Sequence, residues 1–228
     1  MARLKRLAAP AFWKIPRRGE KKKFAISPRP GPHPKDRCIP LGLIIRDYLK
    51  LAENRKEAKK IVVKIDGKIR RDLKFPVGLM DVLEIGDKFY RVVPDEKDYL
   101  ALKEVKDGNI KLLQVKGKTY IKGNRVQIHF HDGRNLLVKK EDDKFKVGDV
   151  IIWDFKENKI KDHIKFEEGV LVIITHGKNV GKIGKIESIK IKKGMEMNTA
   201  IMDSNGAKIE VPLDYCFPIG KDRPLVEI

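Results

Sequence analysis

Turn-forming dipeptides constrain this chain more than any other feature. Asp66-Gly67, Asp107-Gly108, Gly123-Asn124, Asp132-Gly133 and Gly148-Asp149 divide it into short stretches in which apolar and polar residues alternate. Composition points the same way: 26 Ile and 17 Val among 228 residues form a β-branched excess that suits pleated, half-buried strands. The expected class is α+β and predominantly β, with a small central β domain, a barrel or curved sheet, over residues 93–166.

Charge is segregated along the chain. Residues 1–75 hold 23 Lys and Arg against 7 Asp and Glu, and so carry +16 of the formal +19, whereas residues 76–228 hold 28 against 25. A surface charged only for solubility mixes both signs throughout, so the front half is expected to face a polyanion. A lipid surface fits less well, because prolines interrupt the cations and no amphipathic helix arranges them. The longest apolar stretch, Val170–Ile174, is far short of the roughly 20 residues of a membrane span, and Pro10 and Pro16 break the start before a secretory apolar region develops. A cytoplasmic location with no membrane partner is expected. Cys38 and Cys216 lie far apart with no Cys/His spacing around them, which argues for reduced, buried thiols over a disulfide or a zinc site.

Residues 1–37 contain six prolines and twelve Lys and Arg, a combination that prevents a long helix and leaves little surface to bury. An extended basic tail is expected, with Arg3, Lys5, Arg6, Lys14, Arg17, Arg18, Lys21, Lys22, Lys23, Arg29, His33, Lys35 and Arg37 as candidate RNA contacts. Phe12 and Trp13 are embedded among these cations. Phe12 and Trp13 serve as stacking faces for bases, as pins holding the tail to its own domain, or as both.

Residues 38–92 change register. Leu41, Ile44, Ile45, Tyr48, Leu49 and Ala52 fall at helical spacing behind Pro40, with Arg46 on the opposite face. Asn54 precedes Glu57 by three residues, a capping box that opens a short helix turning Arg55, Lys56, Lys59 and Lys60 outward. A β-hairpin around Asp66-Gly67 follows. A three-residue loop with Gly67 at a left-handed bulge keeps its faces uniform, with Val63 opposite Ile69 and Lys64 opposite Lys68, and the like-charged pair then wants an anion over it. Lys64, Lys68, Arg70 and Arg71 therefore join the candidates.

In the nearly neutral middle, His129 and His131 flank Phe130, and period-two alternation places both on the polar face of one strand. No third ligand stands at a short spacing, so no metal is expected. Residues 167–228 open on a buried strand, Val170–Ile174, followed by Thr175–Ile186 with three glycines and three lysines. Such a loop lets backbone amides and lysines approach phosphates. It is not a P-loop, since three residues rather than four separate Gly177 from the Gly181-Lys182 pair and Ile183 stands where Ser or Thr is needed.

Several of these segments carry a resemblance. Residues 169–186 resemble a KOW motif of SH3-like barrels. Residues 54–85, with Asn54-Arg55-Lys56-Glu57-Ala58 and Asp66-Gly67-Lys68, are similar to the helix-helix-hairpin RNA-binding module named after bacterial small-subunit protein S4. The start, Leu4-Lys5-Arg6-Leu7-Ala8-Ala9-Pro10-Ala11-Phe12-Trp13-Lys14-Ile15-Pro16-Arg17, resembles the signature of the archaeal and eukaryotic-type small-subunit ribosomal protein family S4e. Pro30-Gly31-Pro32-His33, Phe75-Pro76-Val77-Gly78-Leu79-Met80-Asp81-Val82 and Gly177-Lys178-Asn179-Val180-Gly181 match that family in order. Two departures stand out. Arg3 replaces the usual His, and the chain between Ala58 and Asp66 is about four residues shorter than the usual module, so the resemblance does not fix the path through Ile61–Lys64.

The resemblance implies four segments: tail 1–37, S4-like module 38–92, central β domain 93–166 and KOW barrel 167–228. It further implies a structural, non-enzymatic protein that contacts small-subunit ribosomal RNA and neighbouring small-subunit proteins, without a cofactor and not as a homo-oligomer. It adds Gly177, Lys178, Asn179, Gly181, Lys182 and Lys185 as a second RNA contact. Two rivals share parts of this pattern: a pseudouridine synthase, whose catalytic sheet domain this chain is too short to house, and a KOW-containing transcription-elongation factor. Removal of residues 1–37 is expected to weaken binding to small-subunit RNA and to flatten its salt dependence by a little under one log–log unit per lost phosphate contact.

Overall fold

The computed structural model describes residues 4–18, 23–192, 196–204 and 206–227. The chain divides into two compact units. Unit 1 is Met1–Val92 with Leu100–Gly108, and unit 2 is Val93–Tyr99 with Asn109–Ile228.

Unit 1 contains β1 (Ile39–Pro40), α1 (Leu41–Leu43), α2 (Arg55–Ala58), β2 (Val63–Ile65), β3 (Lys68–Arg70), β4 (Pro76–Val77), β5 (Val82–Ile85), β6 (Lys88–Asp95) and β7 (Tyr99–Val105). Strand β1 pairs antiparallel with β4, and the rest form a sheet in the order β3-β2-β5-β6-β7, the tip of the β6–β7 hairpin belonging to unit 2. Helix α1 starts behind Pro40 as its spacing predicts and buries Leu41, Leu43, Ile44 and Ile45. It then widens into a π-turn over Ile44–Tyr48 and ends, short of the expected Ala52, because Lys50 takes a left-handed conformation (φ 54°).

Helix α2 forms for the reason its sequence gives. Asn54 Oδ1 accepts from the amides of Lys56 (2.9 Å) and Glu57 (3.1 Å), and Glu57 Oε2 accepts from the Glu53 amide (3.0 Å). Ala58 faces the core while Arg55, Lys56, Lys59 and Lys60 are exposed. The hairpin departs from the expected register. Asp66 (φ 51°) and Gly67 (φ 75°) form a two-residue turn with both central φ values positive, pairing Val63 with Arg70, Lys64 with Ile69 and Ile65 with Lys68. This turn geometry matches the twist of the strands, and the Asp66 side chain fixes it by accepting from the Val82 amide (3.0 Å). No Lys64–Lys68 pair results. Lys64 instead meets Glu84 on β5 at 2.7 Å, and Ile69 is 55% exposed.

Unit 2 holds two antiparallel five-stranded sheets. The first comprises β8 (Ile110–Ile121), β9 (Arg125–Phe130), β10 (Asn135–Lys139), β11 (Val150–Asp154) and β12 (Lys159–Ile164), in the order β10-β9-β8-β11-β12. Leu113, Val115, Val126, Ile128, Phe130 and Ile151 fill its inner face. The second comprises β13 (Leu171–Ile174), β14 (Ile183–Lys190), β15 (Thr199–Ser204), β16 (Ala207–Pro212) and β17 (Cys216–Gly220), in the order β16-β15-β14-β13-β17. Gln114 Nε2 donates to the Cys216 carbonyl (2.9 Å), joining the sheets through a buried bond. Both cysteines are free and buried. Burial pushes the Cys216 thiol up to about 11, and burial with the nearby Asp36 and Asp81 carboxylates pushes Cys38 up to about 12.

Unit 2 also contains a buried ionic centre. Lys111 Nζ, with no exposed side-chain surface, lies 3.1 Å from Asp132 Oδ2, and Arg134 Nε approaches the same oxygen at 3.1 Å. Burial alone raises a carboxyl pKa, but Lys111, then His131 and Arg134, outweigh it and hold Asp132 below the usual carboxylate range. A depressed folded-state pKa adds stability above the unfolded value and loses it as pH falls. Stability is therefore expected to decline below about pH 4. Replacement of Asp132 by Ala, which removes the carboxylate from a buried ammonium, should cost about 3–5 kcal/mol in denaturant unfolding.

Candidate nucleic-acid interface

The leading segment is folded rather than free. Its start pairs with residues 23–25: the Arg6 amide donates to the Lys23 carbonyl (3.1 Å) and the Ala25 amide to Leu4 (2.9 Å). Two arginines close the loop between them. Arg6 Nη1 donates to the Pro16 carbonyl (2.8 Å), and the Arg17 guanidinium donates to the carbonyls of Arg6 (3.2 Å), Leu7 (3.5 Å), Ala9 (3.1 Å), Pro10 (2.7 Å) and Ala11 (3.2 Å). Trp13 is 2% exposed, and its indole N–H donates to the Cys38 carbonyl (2.8 Å). Of its two expected roles, the structure thus builds the pin.

A second lock joins Pro30–His33 to residues 76–81. His33 Nε2 lies 3.0 Å from Asp81 Oδ2, both side chains buried, while the same carboxylate accepts from the Gly78 amide (2.9 Å). A Cβ on Gly78 would overlap the His33 ring, so only glycine allows this approach. Arg29 bonds Asp72 at 3.0 Å. Arg6, Trp13, Arg17 and His33 therefore position the segment, and the cations left on its surface are Lys5, Lys14, Arg18, Lys23, Arg29, Lys35 and Arg37. Arg3, Lys21 and Lys22 lie outside the described residues.

The remaining unit 1 candidates separate in the same way. Arg55, Lys56, Lys59, Lys60, Lys68 and Arg71 are exposed. Arg46 is half-buried on Asp47 (2.6 Å), and Arg70 lies 4.6 Å over the Phe75 ring. Exposed cations thus come from the leading segment, α2 and the β2–β3 hairpin.

In unit 2 the loop between β13 and β14 turns through Gly177 (φ 87°) and Gly181 (φ 84°). A Cβ on Gly181 would overlap the backbone of Asp95 and Glu96, so a side chain there would push the loop off the β6–β7 tip. Thr175 Oγ1 meets His176 Nδ1 at 2.7 Å, and Tyr99 and Tyr215 flank the His176 ring at centroid distances of 5.7 and 5.4 Å. Lys178 is exposed, Lys182 donates to Asn179 Oδ1 (3.1 Å), and Lys185 bonds Asp222 (3.0 Å). His176, Tyr99 and Tyr215 were not legible as a group, because only the fold brings them together.

His131 departs from the expected placement. Strand β9 ends at Phe130, and the His131 ring packs edge-on against Phe217 (5.3 Å) with Nδ1 accepting from the Gln114 amide (3.2 Å). Among the described residues no group of three His, Cys, Asp or Glu side chains could hold a metal, and no helix is long and apolar enough to cross a membrane.

Known proteins resemble this sequence over nearly its whole length. Residues 2–36 match the RS4NT (NUC023) domain and residues 86–160 match Ribosomal family S4e. Small ribosomal subunit protein eS4 of Staphylothermus marinus is 41% identical, over 99% of this chain and 94% of that one. The chain belongs to ribosomal family S4e. The eS4 of Methanocaldococcus jannaschii is likewise 41% identical, covering 99% and 96%. The crystal structure of 30S ribosomal protein S4e from Thermoplasma acidophilum superposes with a TM-score of 0.71 at 37% identity, over 82% of this chain and 97% of that one.

In this S4e chain, truncation at residue 37 would strip Trp13 and Ile15 from the core as well as removing cations, so single side chains test the two roles better. Replacement of Trp13 by Phe should lower stability by about 1–3 kcal/mol, because the buried Cys38 carbonyl loses its donor. A fall in melting temperature with no change in the salt dependence of RNA binding is the expected pair of results.

Proposed function

We infer that this chain is a structural, non-enzymatic constituent of the small ribosomal subunit that binds small-subunit ribosomal RNA in the cytoplasm and supports translation. The observation that carries the reading is the match along nearly the whole chain to proteins named small ribosomal subunit protein eS4. The physical surface agrees with it. Folded RNA is bound mainly through phosphates and unpaired bases, which suits dispersed cations on a braced platform better than a single pocket.

Within this reading, residues 1–37 are a basic leading arm, 38–92 an S4-like RNA-binding module, 93–166 a central β domain and 167–228 a KOW-type SH3-like barrel. Support for the module comes from the capped α2 and the tight Asp66-Gly67 hairpin, both with exposed cations. Support for the barrel comes from its five antiparallel strands and the glycine-bearing loop after β13. RNA contacts are assigned to the exposed cations of unit 1, with Lys178, Lys182 and Lys185 as a second contact. Arg6, Trp13, Arg17 and His33 act by positioning. The partners are ribosomal RNA and adjacent small-subunit proteins, with no cofactor and no second copy of the chain.

The test uses Lys56→Ala with Lys59→Ala, exposed positions on α2 whose loss leaves the Asn54–Glu57 cap intact. Binding to small-subunit ribosomal RNA, titrated against salt, should weaken, with the log–log slope shallower by roughly 1.8 for two lost duplex phosphate contacts. Equal affinity with an unchanged slope would remove α2 from the interface.

A further inference from the structure

We propose that the outer face of the β8–β9–β10 lobe in unit 2 binds a single-stranded stretch of RNA, an inference that rests on the ribosomal RNA-binding reading above but concerns a different surface. Charge averaged over residues 93–166 hides this site. Residues 116–140 hold seven Lys and Arg and one acid, Asp132, whereas the other acids of the middle segment lie on either side. Asp132 is buried against Lys111, and none of the residues of β8, β9 or β10 is acidic. Lys118 is paired with Asp143 and Arg134 with Asp132, and Glu141, Asp142 and Asp143 follow directly on Lys140. The excess therefore rests on Lys116, Lys122, Arg125, Lys139 and Lys140, whose electrostatic complement is an anion.

Register defines the face. Asn135 pairs with His129, which pairs with Gly117; one step outward, Leu137 pairs with Gln127 and Gln127 with Thr119; outermost, Lys139 pairs with Arg125 and Arg125 with Ile121. Paired residues share a side of the sheet, so these groups form rows across three strands, opposite the face that carries the buried cluster of Val126, Ile128 and Phe130. Thr119, Arg125, Asn135 and Lys139 are exposed, and Gln127 and His129 are half-buried.

Two features suit the face to unpaired nucleotides. His129 is fixed from both sides, Nε2 to Thr119 Oγ1 at 2.9 Å and Nδ1 to Asn135 Oδ1 at 2.7 Å, so its ring is held in one orientation. Gly117, at a bulge beside it, puts no side chain against the ring, where a Cβ would lie 3.9 Å from His129 Cδ2. A glycine within a strand weakens it and marks a bulge or a place where another group comes close. An oriented ring with an open side takes a stacked base, neighbouring amide groups hydrogen-bond base edges, and Arg125 and Lys139 pair with phosphates. A protein–protein interface instead favours a dry apolar centre with few charges. Here the rows carry an imidazole, two amides, a hydroxyl and two cations, with Leu137 and Ile121 as the exposed apolar side chains among them.

The experiment compares full-length wild-type chain with Arg125→Ala/Lys139→Ala and with His129→Ala, using in vitro transcribed small-subunit ribosomal RNA and a salt titration. The double variant changes only exposed side chains, so its melting temperature should stay near wild type. Its log–log salt slope should be shallower by about 1.4, two single-strand phosphate contacts. His129→Ala should weaken binding by about fivefold or more, with the slope unchanged, as expected for a lost stacking contact. Photocrosslinking in assembled subunits should join the His129 strand to nucleotides. If wild type binds while the double variant binds equally tightly with the same slope, this inference fails and the broader reading stands. Crosslinks from the strand to a ribosomal protein instead of RNA would overturn it too. A wild-type chain that did not bind the transcript would remove both.

Discussion

The guanidinium groups of Arg6 and Arg17 solve a problem that the leading segment creates for itself. Proline has a carbonyl but no amide hydrogen, so a proline-rich stretch presents more acceptors than donors and cannot pair its backbone within a helix or sheet. Arginine carries five donors and no acceptor. Arg17 shares the N–H groups of Nη1 and Nη2 among five carbonyls and Arg6 reaches a sixth, at Pro16, which closes a loop that has almost no regular secondary structure. A segment whose charge suggests a disordered arm thereby becomes part of a fold.

Much of unit 1 follows from that closure. The closed loop delivers Trp13 to the Cys38 carbonyl beside β1, and β1 pairs with β4, whose next residues hold His33 through Asp81. With these locks in place the exposed cations of the arm, of α2 and of the hairpin stand on fixed backbone. Preset positions matter for binding RNA, because ordering a flexible basic chain at the moment of contact costs conformational entropy. Unit 2 separates its charges by the same logic. Asp132 sits with Lys111 in the interior, and its burial leaves the outer side of the neighbouring strands without a carboxylate.

Local rules were readable from the sequence, and long-range ones were not. The Asn54–Glu57 cap, the Pro40 helix start, the strand-rich middle and the buried Val170–Ile174 strand all depend on residues within a few positions of one another. The hairpin register departs from the pattern of uniform faces because turn geometry decides it. Asp66 can take a positive φ, its side chain is fixed by Val82 sixteen residues away, and Glu84 on the next strand supplies Lys64 with its counter-charge in place of an external anion. Helix α1 stopped early because Lys50 adopts a left-handed turn that no periodicity encodes. Among the candidate contacts, residue type identified cations correctly but could not separate those that bind backbone carbonyls from those that face outward, since that difference is made by partners ten or more residues away.

The central claim is that the exposed lysines of unit 1 lie against RNA in the assembled particle, and lysine acetylation read by mass spectrometry tests it directly. Lys56, Lys59 and Lys68 should react readily in the isolated chain, resist the reagent in purified small subunits and become reactive again once nuclease has removed the RNA. Reactivity in intact subunits equal to that of the isolated chain, or protection that survives nuclease, would contradict the account.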